Sequence, residues 1–494
     1  MRPVWYLLYN YRFARLQSAW RRLPLLTFLG LWLSSSLSSQ ALDDAGLLYD
    51  RFPLTLDAGF RREILGPLLS FQESETERTW ALSPLMSHRH DLVTDFTEFD
   101  FLYPILTYDR FGLDYRDQLF QMLSISGGET MDSTNKQRVT VFPFYFQQRS
   151  PDPELNYTAL LPFYGHLKNR LFRDEIYFVM LPLYLQTRKK DVVTDNYLAP
   201  FFHLRHGNGL TGWQFWPVFG REHKEVTTLT NSLDEVEIVG GHDKLFALWP
   251  FYIRNDLGIG TTNLQTQRLY LPFYSAQRSP ARDTTSYLWP LGFTYTDDRE
   301  RKYREWAFPW PLIDFARGEG KTLNRVWPLF SRGKTLTHES DFVLWPVYRY
   351  NRFHSDPVDR QRTRILLFLY SDVVELNTET GTRQERTDLW PLFTARRDAN
   401  GNKRLQLLAP LEPFLPASRA VERNYSPLWS IWRSESNAKT GAKSQSFLWN
   451  LYRRETTPTT RKCSLLFGLF HYQSGTEGHR WRLLYIPLGS SPRR

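Results

Sequence analysis

The stretch Leu344-Trp345-Pro346-Val347-Tyr348-Arg349 decides how this chain is read, because near copies of it return along most of the sequence. Clear copies are Phe215-Trp216-Pro217-Val218-Phe219, Leu248-Trp249-Pro250-Phe251-Tyr252, Val326-Trp327-Pro328-Leu329-Phe330 and Leu389-Trp390-Pro391-Leu392-Phe393. Prolines at 143, 162, 182, 200, 217, 250, 272, 290, 309, 328 and 346 stand mostly 17 to 22 residues apart. So regular a period marks a repeat architecture, in which one short unit recurs along a single body.

Each phrase is short, rich in β-forming residues and bounded by turn residues, which favours strand over helix. The turn signals between phrases include Gly207-Asn208-Gly209, Asp256 to Gly260, Asp297-Asp298, Gly318-Glu319-Gly320, Thr378 to Gly381, Asp398-Ala399-Asn400-Gly401 and Asn437 to Gly441. One strand per phrase predicts about 20 to 23 strands between Gly66-Pro67-Leu68 and Tyr485-Ile486-Pro487, each antiparallel to the next. The expected fold class is all-β, a long antiparallel meander closed or flattened into a β-barrel. The alternative is a propeller-like or stacked-sheet β-repeat.

Proline donates no hydrogen bond to a strand ladder, so its fixed place in the phrase predicts a bulge or bend in each strand. Alternation puts Leu344, Pro346 and Tyr348 on one face and Trp345 and Val347 on the other, so both faces of the phrase read as apolar. Polar residues soon follow, as in Leu183-Tyr184-Leu185 before Gln186-Thr187-Arg188-Lys189, which predicts an apolar band roughly 6 to 9 residues deep.

The chain divides in two by composition. Residues 1–41 hold five arginines and no acid, then the apolar run Leu23 to Leu37, then Ser39-Gln40-Ala41. That order predicts a secretory signal peptide cleaved after Ala41; an uncleaved anchor, or a twin-arginine signal at Arg21-Arg22, are the alternatives. Residues 42–494 read as one β-repeat body, with divergent repeats over 42–135 and regular ones over 136–494. Subtracting the five leader arginines from a net charge of +10 leaves +5. Spread over so long a body, this charge argues against nucleic acid as a partner. Aromatic residues make up 16% of the chain while mean hydropathy is only −0.46. Much aromatic surface must therefore be buried or placed against lipid, and membrane lipid is the partner expected.

The segments Asn169 to Glu175, Leu181-Pro182-Leu183-Tyr184, Gly212 to Pro217 and Gly220 to Lys224 resemble a group of uncharacterised bacterial proteins. Those proteins carry similar tryptophan-proline phrases after a signal peptide. Ile64-Leu65-Gly66-Pro67, Trp80 to Leu85 and Leu102-Tyr103-Pro104 carry the same resemblance. It implies a Gram-negative-type envelope protein and no particular activity.

Signals for chemistry are sparse. His88-Arg89-His90 could set two imidazoles on one face of a strand as half a zinc site, but no third ligand follows at a suitable spacing. His223 lies in a charge run, Arg221 to Glu225, that reads as a solvated strand end. Asp297, Asp298, Glu300 and Glu412 are acids that could serve in acid-base chemistry, with nothing in their spacing to bring a pair together. Asp398 to Asn402 begins like a calcium loop but lacks the distal glutamate, and reads as a hairpin turn. Cys463 stands alone, so neither an internal disulfide nor a multi-cysteine metal site can form, and it reads as a half-buried thiol. No catalytic, cofactor-binding or metal residue is assigned, no cofactor is expected, and the chain is not read as an enzyme. The function expected is an outer-membrane β-barrel-like structural or transport protein, with a conduit for an apolar molecule as one form of it. Its alternative is a soluble periplasmic or surface β-repeat that binds or scaffolds.

Overall fold

A computed structural model describes residues 46–491 apart from 129–135, 231–235, 417 and 477. The expected signal peptide and its cleavage point lie outside the described residues. The described chain is all-β. Forty-three strands form one antiparallel sheet, and a separate two-stranded ribbon, Thr227–Thr230 with Val236–Val239, is inserted in it. Every strand of the large sheet pairs with the strand before and the strand after, from Asp50–Pro53 to Ile486–Ser491, so the meander is unbroken.

The strand count is about twice that expected, and the reason lies in the phrase itself. Leu248-Trp249-Pro250-Phe251 is not a strand. It is a four-residue turn between the strands Gly241–Ala247 and Tyr252–Ile259, closed by the Phe251 N–H donating to the Leu248 carbonyl at 2.8 Å. The Trp249-Pro250 peptide is cis, as are the corresponding bonds at Pro217, Pro328, Pro346 and Pro391, which places proline third in a type VI turn. No ladder hydrogen bond is asked of the proline there, so the expected bulge or mid-strand bend does not occur. The polar signals, such as Gly207-Asn208-Gly209, are turns as expected, at the other ends of the same strands. Each repeat therefore holds two strands and two turns of opposite character.

An antiparallel meander sends alternate turns to opposite edges. Because one repeat spans two strands, every apolar turn falls on one edge and every turn of the other kind on the opposite edge. The apolar turns also bond to one another. Leu248 N–H donates to the Val218 carbonyl at 2.6 Å and Trp249 N–H to the Pro217 carbonyl at 2.7 Å, and Leu271 N–H donates in turn to Phe251 at 2.8 Å. Trp345 N–H reaches the Pro328 carbonyl in the same way, at 2.8 Å. The ladder thus runs on through the turns, which stack as a continuous rim.

The ladder does not close into a barrel. Among the described residues no hydrogen bond of the sheet joins its first strand to its last, which agrees with the stacked-sheet alternative. The two end regions of the sheet meet through side chains instead, the N-terminal strands against Lys443–Phe447 and Tyr452–Thr456. Thr55 Oγ1 donates to Ser444 Oγ at 2.6 Å, Asn450 Nδ2 donates to Asp50 and Glu63 at 3.0 and 3.2 Å, and the Arg453 guanidinium lies 3.5 Å from the centre of the Phe52 ring. Two short helices, Arg419–Asn424 and Ser426–Trp429, wedge between the ends, the first capped by Ser418 Oγ accepting from Val421 N–H at 3.3 Å.

Candidate functional site

The rim is the site with the clearest physical demand for a partner. The last strand residue before each apolar turn and the first after it are partners across the ladder, and they are apolar along the sheet. Examples run Leu82 with Met86, Tyr197 with Phe202, Phe215 with Phe219, Val343 with Tyr348 and Phe447 with Tyr452. Tyr252, Tyr270, Tyr274 and Tyr287 line up as neighbours, with ring centroids 5.4, 6.4 and 5.5 Å apart. Tryptophans of successive turns also meet, Trp216 with Trp249 at 5.8 Å and Trp327 with Trp345 at 6.2 Å.

Despite these contacts the rim is open. Leu248 is 63% exposed, Phe251 57%, Phe273 70% and Leu344 55%. Continuous apolar surface of this extent exceeds what soluble proteins leave bare without purpose. Several of these leucines carry a second cost, since Leu248, Leu288 and Leu344 have φ of 46°, 56° and 47°. Left-handed backbone disfavours a branched apolar side chain and suits glycine. Folding alone therefore favours glycine at these positions twice over.

Strand residues just behind the rim are mixed in character. The third residue of a strand, counted from the rim on the face that carries the tyrosines, is Arg221, Arg254, Arg268, Arg332, Asp341 or Thr363 in some strands and Trp80, Phe99, Trp213, Leu245, Phe315 or Trp481 in others. The second residue points to the opposite face and is in many strands small or polar and buried, as in Ala81, Ser87, Asp100, Ser371, Asp388 and Thr394, while Phe178 and Phe342 hold the same position elsewhere. The turn and the strand residue beside it are apolar along the sheet, and the third residue extends that layer in some strands and ends it in others.

Behind the rim the two ends of the sheet are clasped by buried polar groups. Arg423 donates from Nε to Ser87 Oγ at 2.7 Å and pairs with Glu98 at 3.2 Å and with Asp100. Asn424 Nδ2 donates to Asp100 at 3.1 Å and the Tyr425 hydroxyl to the Tyr103 carbonyl at 2.6 Å. Burial pushes the Asp100 carboxyl up from its ordinary value, against the pull of Arg423. A cleft of about 110 Å³ between the ends is lined by Arg61, Glu63, Arg404, Arg433, Glu435 and Arg453. Most of this charge is paired internally, Arg61 with Glu63 at 2.8 Å and Arg404 with Glu435 at 3.1 Å. The helical insert and its clasp left no readable signal in the sequence beyond the break in period after Pro391.

The residues weighed for chemistry are dispersed. His88 and His90 do share a face of the strand Met86–Asp91, but His88 stacks on Trp80 at 6.1 Å and His90 Nδ1 lies 3.0 Å from Thr97 Oγ1. No group of three metal-ligating side chains forms among the described residues. His223 pairs with Asp243 at a half-exposed strand end. Asp298 accepts from Arg301 N–H at 2.8 Å, and Asp297 lies 3.5 Å from Arg304. Glu412 is buried and accepts from Gln406 Nε2 at 2.7 Å and Trp429 Nε1 at 3.0 Å, a structural anchor of the insert. Asp398 to Asn402 is a hairpin turn, with Asn402 N–H donating to Asp398 Oδ1 at 2.9 Å. Cys463 is half-buried, and burial raises its thiol above the usual range.

No helix among the described residues is long and apolar enough to cross a membrane. No family model and no curated protein matches the chain.

Proposed function

We propose that this chain is a structural or lipid-handling protein of the bacterial envelope that stands on a membrane leaflet, with its tryptophan-proline rim embedded in the lipid. The observation that carries this reading is the exposed leucine row held in left-handed backbone. Such residues weaken the folded chain in water and strengthen it only when the rim is covered. Lipid suits the rim's composition, since Trp and Tyr favour the membrane interface and arginines in the next rows can reach headgroups. The outer membrane is the leaflet expected from the leader-like N-terminus, with the periplasm as the alternative compartment.

Strand length argues for an inserted edge and against a spanning wall. The strands hold 4 to 8 residues. Six residues rise only about 20 Å, and charged outer positions such as Arg254 and Arg332 interrupt the apolar band of ~25 Å that a membrane barrel presents. A turn with one further residue fits insertion by about 5–10 Å, the depth at which amphipathic elements sit. The test is flotation of the full chain with vesicles of phosphatidylcholine and phosphatidylglycerol. Co-flotation that survives high salt supports the reading; protein left in the dense fraction with every lipid contradicts it, and the rim then seats protein in a soluble β-repeat scaffold.

A further inference from the structure

Arginines on the buried face of the sheet mostly come with a carboxylate. Arg61 pairs with Glu63, Arg386 with Asp388 and Arg453 with Glu455, each at 2.7 to 2.8 Å. Arg349, Arg362 and Arg364 break this habit. Arg349 and Arg364 are direct partners across the strands Tyr348–Ser355 and Val358–Ile365. Arg362 lies two residues along from Arg364, hence on the same face and diagonal to Arg349, at about 7–8 Å.

The flanking strands set Phe342 beside Arg349, Ser371 beside Arg364 and Val373 beside Arg362. None is an acid. Asp388, one strand further, is already held by Arg386 Nε at 2.8 Å and Thr394 Oγ1 at 2.6 Å, while Arg360 has Glu375 at 3.7 Å. The Nε–H groups of Arg362 and Arg364 are shielded from solvent and bonded to nothing, whereas Arg349 is exposed and leaves the cluster open on one side. Burial and the neighbouring guanidinium groups push both Arg362 and Arg364 down from the usual arginine range. Like charges placed directly opposite in a sheet are destabilising, so the cluster lacks a counter-charge.

We propose that Arg349, Arg362 and Arg364 form a binding site for a phosphate group. Guanidinium forks match phosphate oxygens in bidentate pairs, and three of them supply the charge a dianionic phosphomonoester needs. Tyr348 and Ile365 of the rim adjoin Arg349 and Arg364, so the site lies one residue behind the apolar edge. A lipid phosphomonoester would occupy that level if the rim is inserted, and this assignment of source rests on the membrane reading. The site itself does not, since free phosphate has the same chemistry.

The test uses the full chain in phosphate-free buffer and the triple variant Arg349→Gln, Arg362→Gln, Arg364→Gln, with outer-face Arg332→Gln as control. Inorganic phosphate is titrated by calorimetry and its effect on thermal unfolding followed. The parent and the control should bind and be stabilised. The triple variant should bind at least tenfold more weakly, and without phosphate it should melt no lower than the parent. A parent that ignores phosphate, a triple variant that binds equally well, or one that melts lower in phosphate-free buffer overturns the proposal. Vesicles of phosphatidylcholine with and without phosphatidate separate the sources: a preference for phosphatidate that the triple variant loses assigns the site to lipid. Phosphate binding without that preference assigns it to a soluble anion, and phosphate binding without any vesicle binding sinks the rim reading alone.

Discussion

Leu248 and Leu344 set two physical preferences against each other. Their backbone, at φ of 46° and 47°, favours glycine, while the rim they build favours a large apolar side chain. Leu248→Gly and Leu344→Gly should therefore leave thermal stability unchanged or raise it by about 1 kcal/mol, since left-handed backbone costs that much or more for a branched residue. The same variants should bind vesicles more weakly, as co-flotation would measure. A different single residue governs the acid limit. Burial would raise the Glu222 carboxyl, but Lys244 at 3.0 Å, Arg205 and His242 at 2.7 Å outweigh it and hold it at about 2. A carboxylate with its folded pKa depressed contributes stability above its unfolded value of about 4.5 and loses it as pH falls towards 2. Glu222→Gln should cost about 2 kcal/mol at pH 7 and almost nothing near pH 2, read from thermal melts at both.

At the scale of elements, the turn and the strand exchange places relative to a local reading. Period, all-β class and antiparallel meander are legible because hydrophobic phrases and polar turn signals alternate regularly. The Leu-Trp-Pro-Phe turn is not, because strand propensity measures fitness for a half-buried pleated surface, and an apolar turn stacked on its neighbours offers the same surroundings. Proline is the clue: a residue unable to donate, fixed in most phrases, belongs where no ladder bond is needed. Alternation resumes only at Tyr252-Ile253-Arg254-Asn255, after the turn. The clasp was illegible for another reason, since Ser87, Asp100 and Arg423 are brought together across more than 300 residues. Arg423→Met should leave Asp100 with only Ser87 and Asn424 and Glu98 with only Arg89 at 4.0 Å, and losing the cation in a buried setting costs about 3–5 kcal/mol. Hydrogen exchange should then rise in Glu77–Leu82 and Met86–Asp91 while strands far from the clasp, such as Tyr252–Ile259, keep their protection.

The whole molecule is one open ladder whose two edges differ in chemistry. One edge is a stack of apolar turns; the other holds turns such as Gly207-Asn208-Gly209 and Thr378 to Gly381, although Leu171-Phe172 shows that it is not uniformly polar. This asymmetry separates an edge standing in a leaflet from a wall that crosses a bilayer. Position along the strand is therefore the quantity to measure. In a Cys463→Ser background, an environment-sensitive probe is attached in turn at Leu329→Cys in the rim, Thr363→Cys on the outer face and Thr380→Cys on the far edge, and quenched in vesicles by lipid-chain and aqueous quenchers. The rim probe should be reached only by the lipid-chain quencher, and the other two only by the aqueous one. A rim probe open to the aqueous quencher would contradict insertion, and a Thr363 probe quenched from the lipid chains would contradict an inserted edge in favour of a spanning wall.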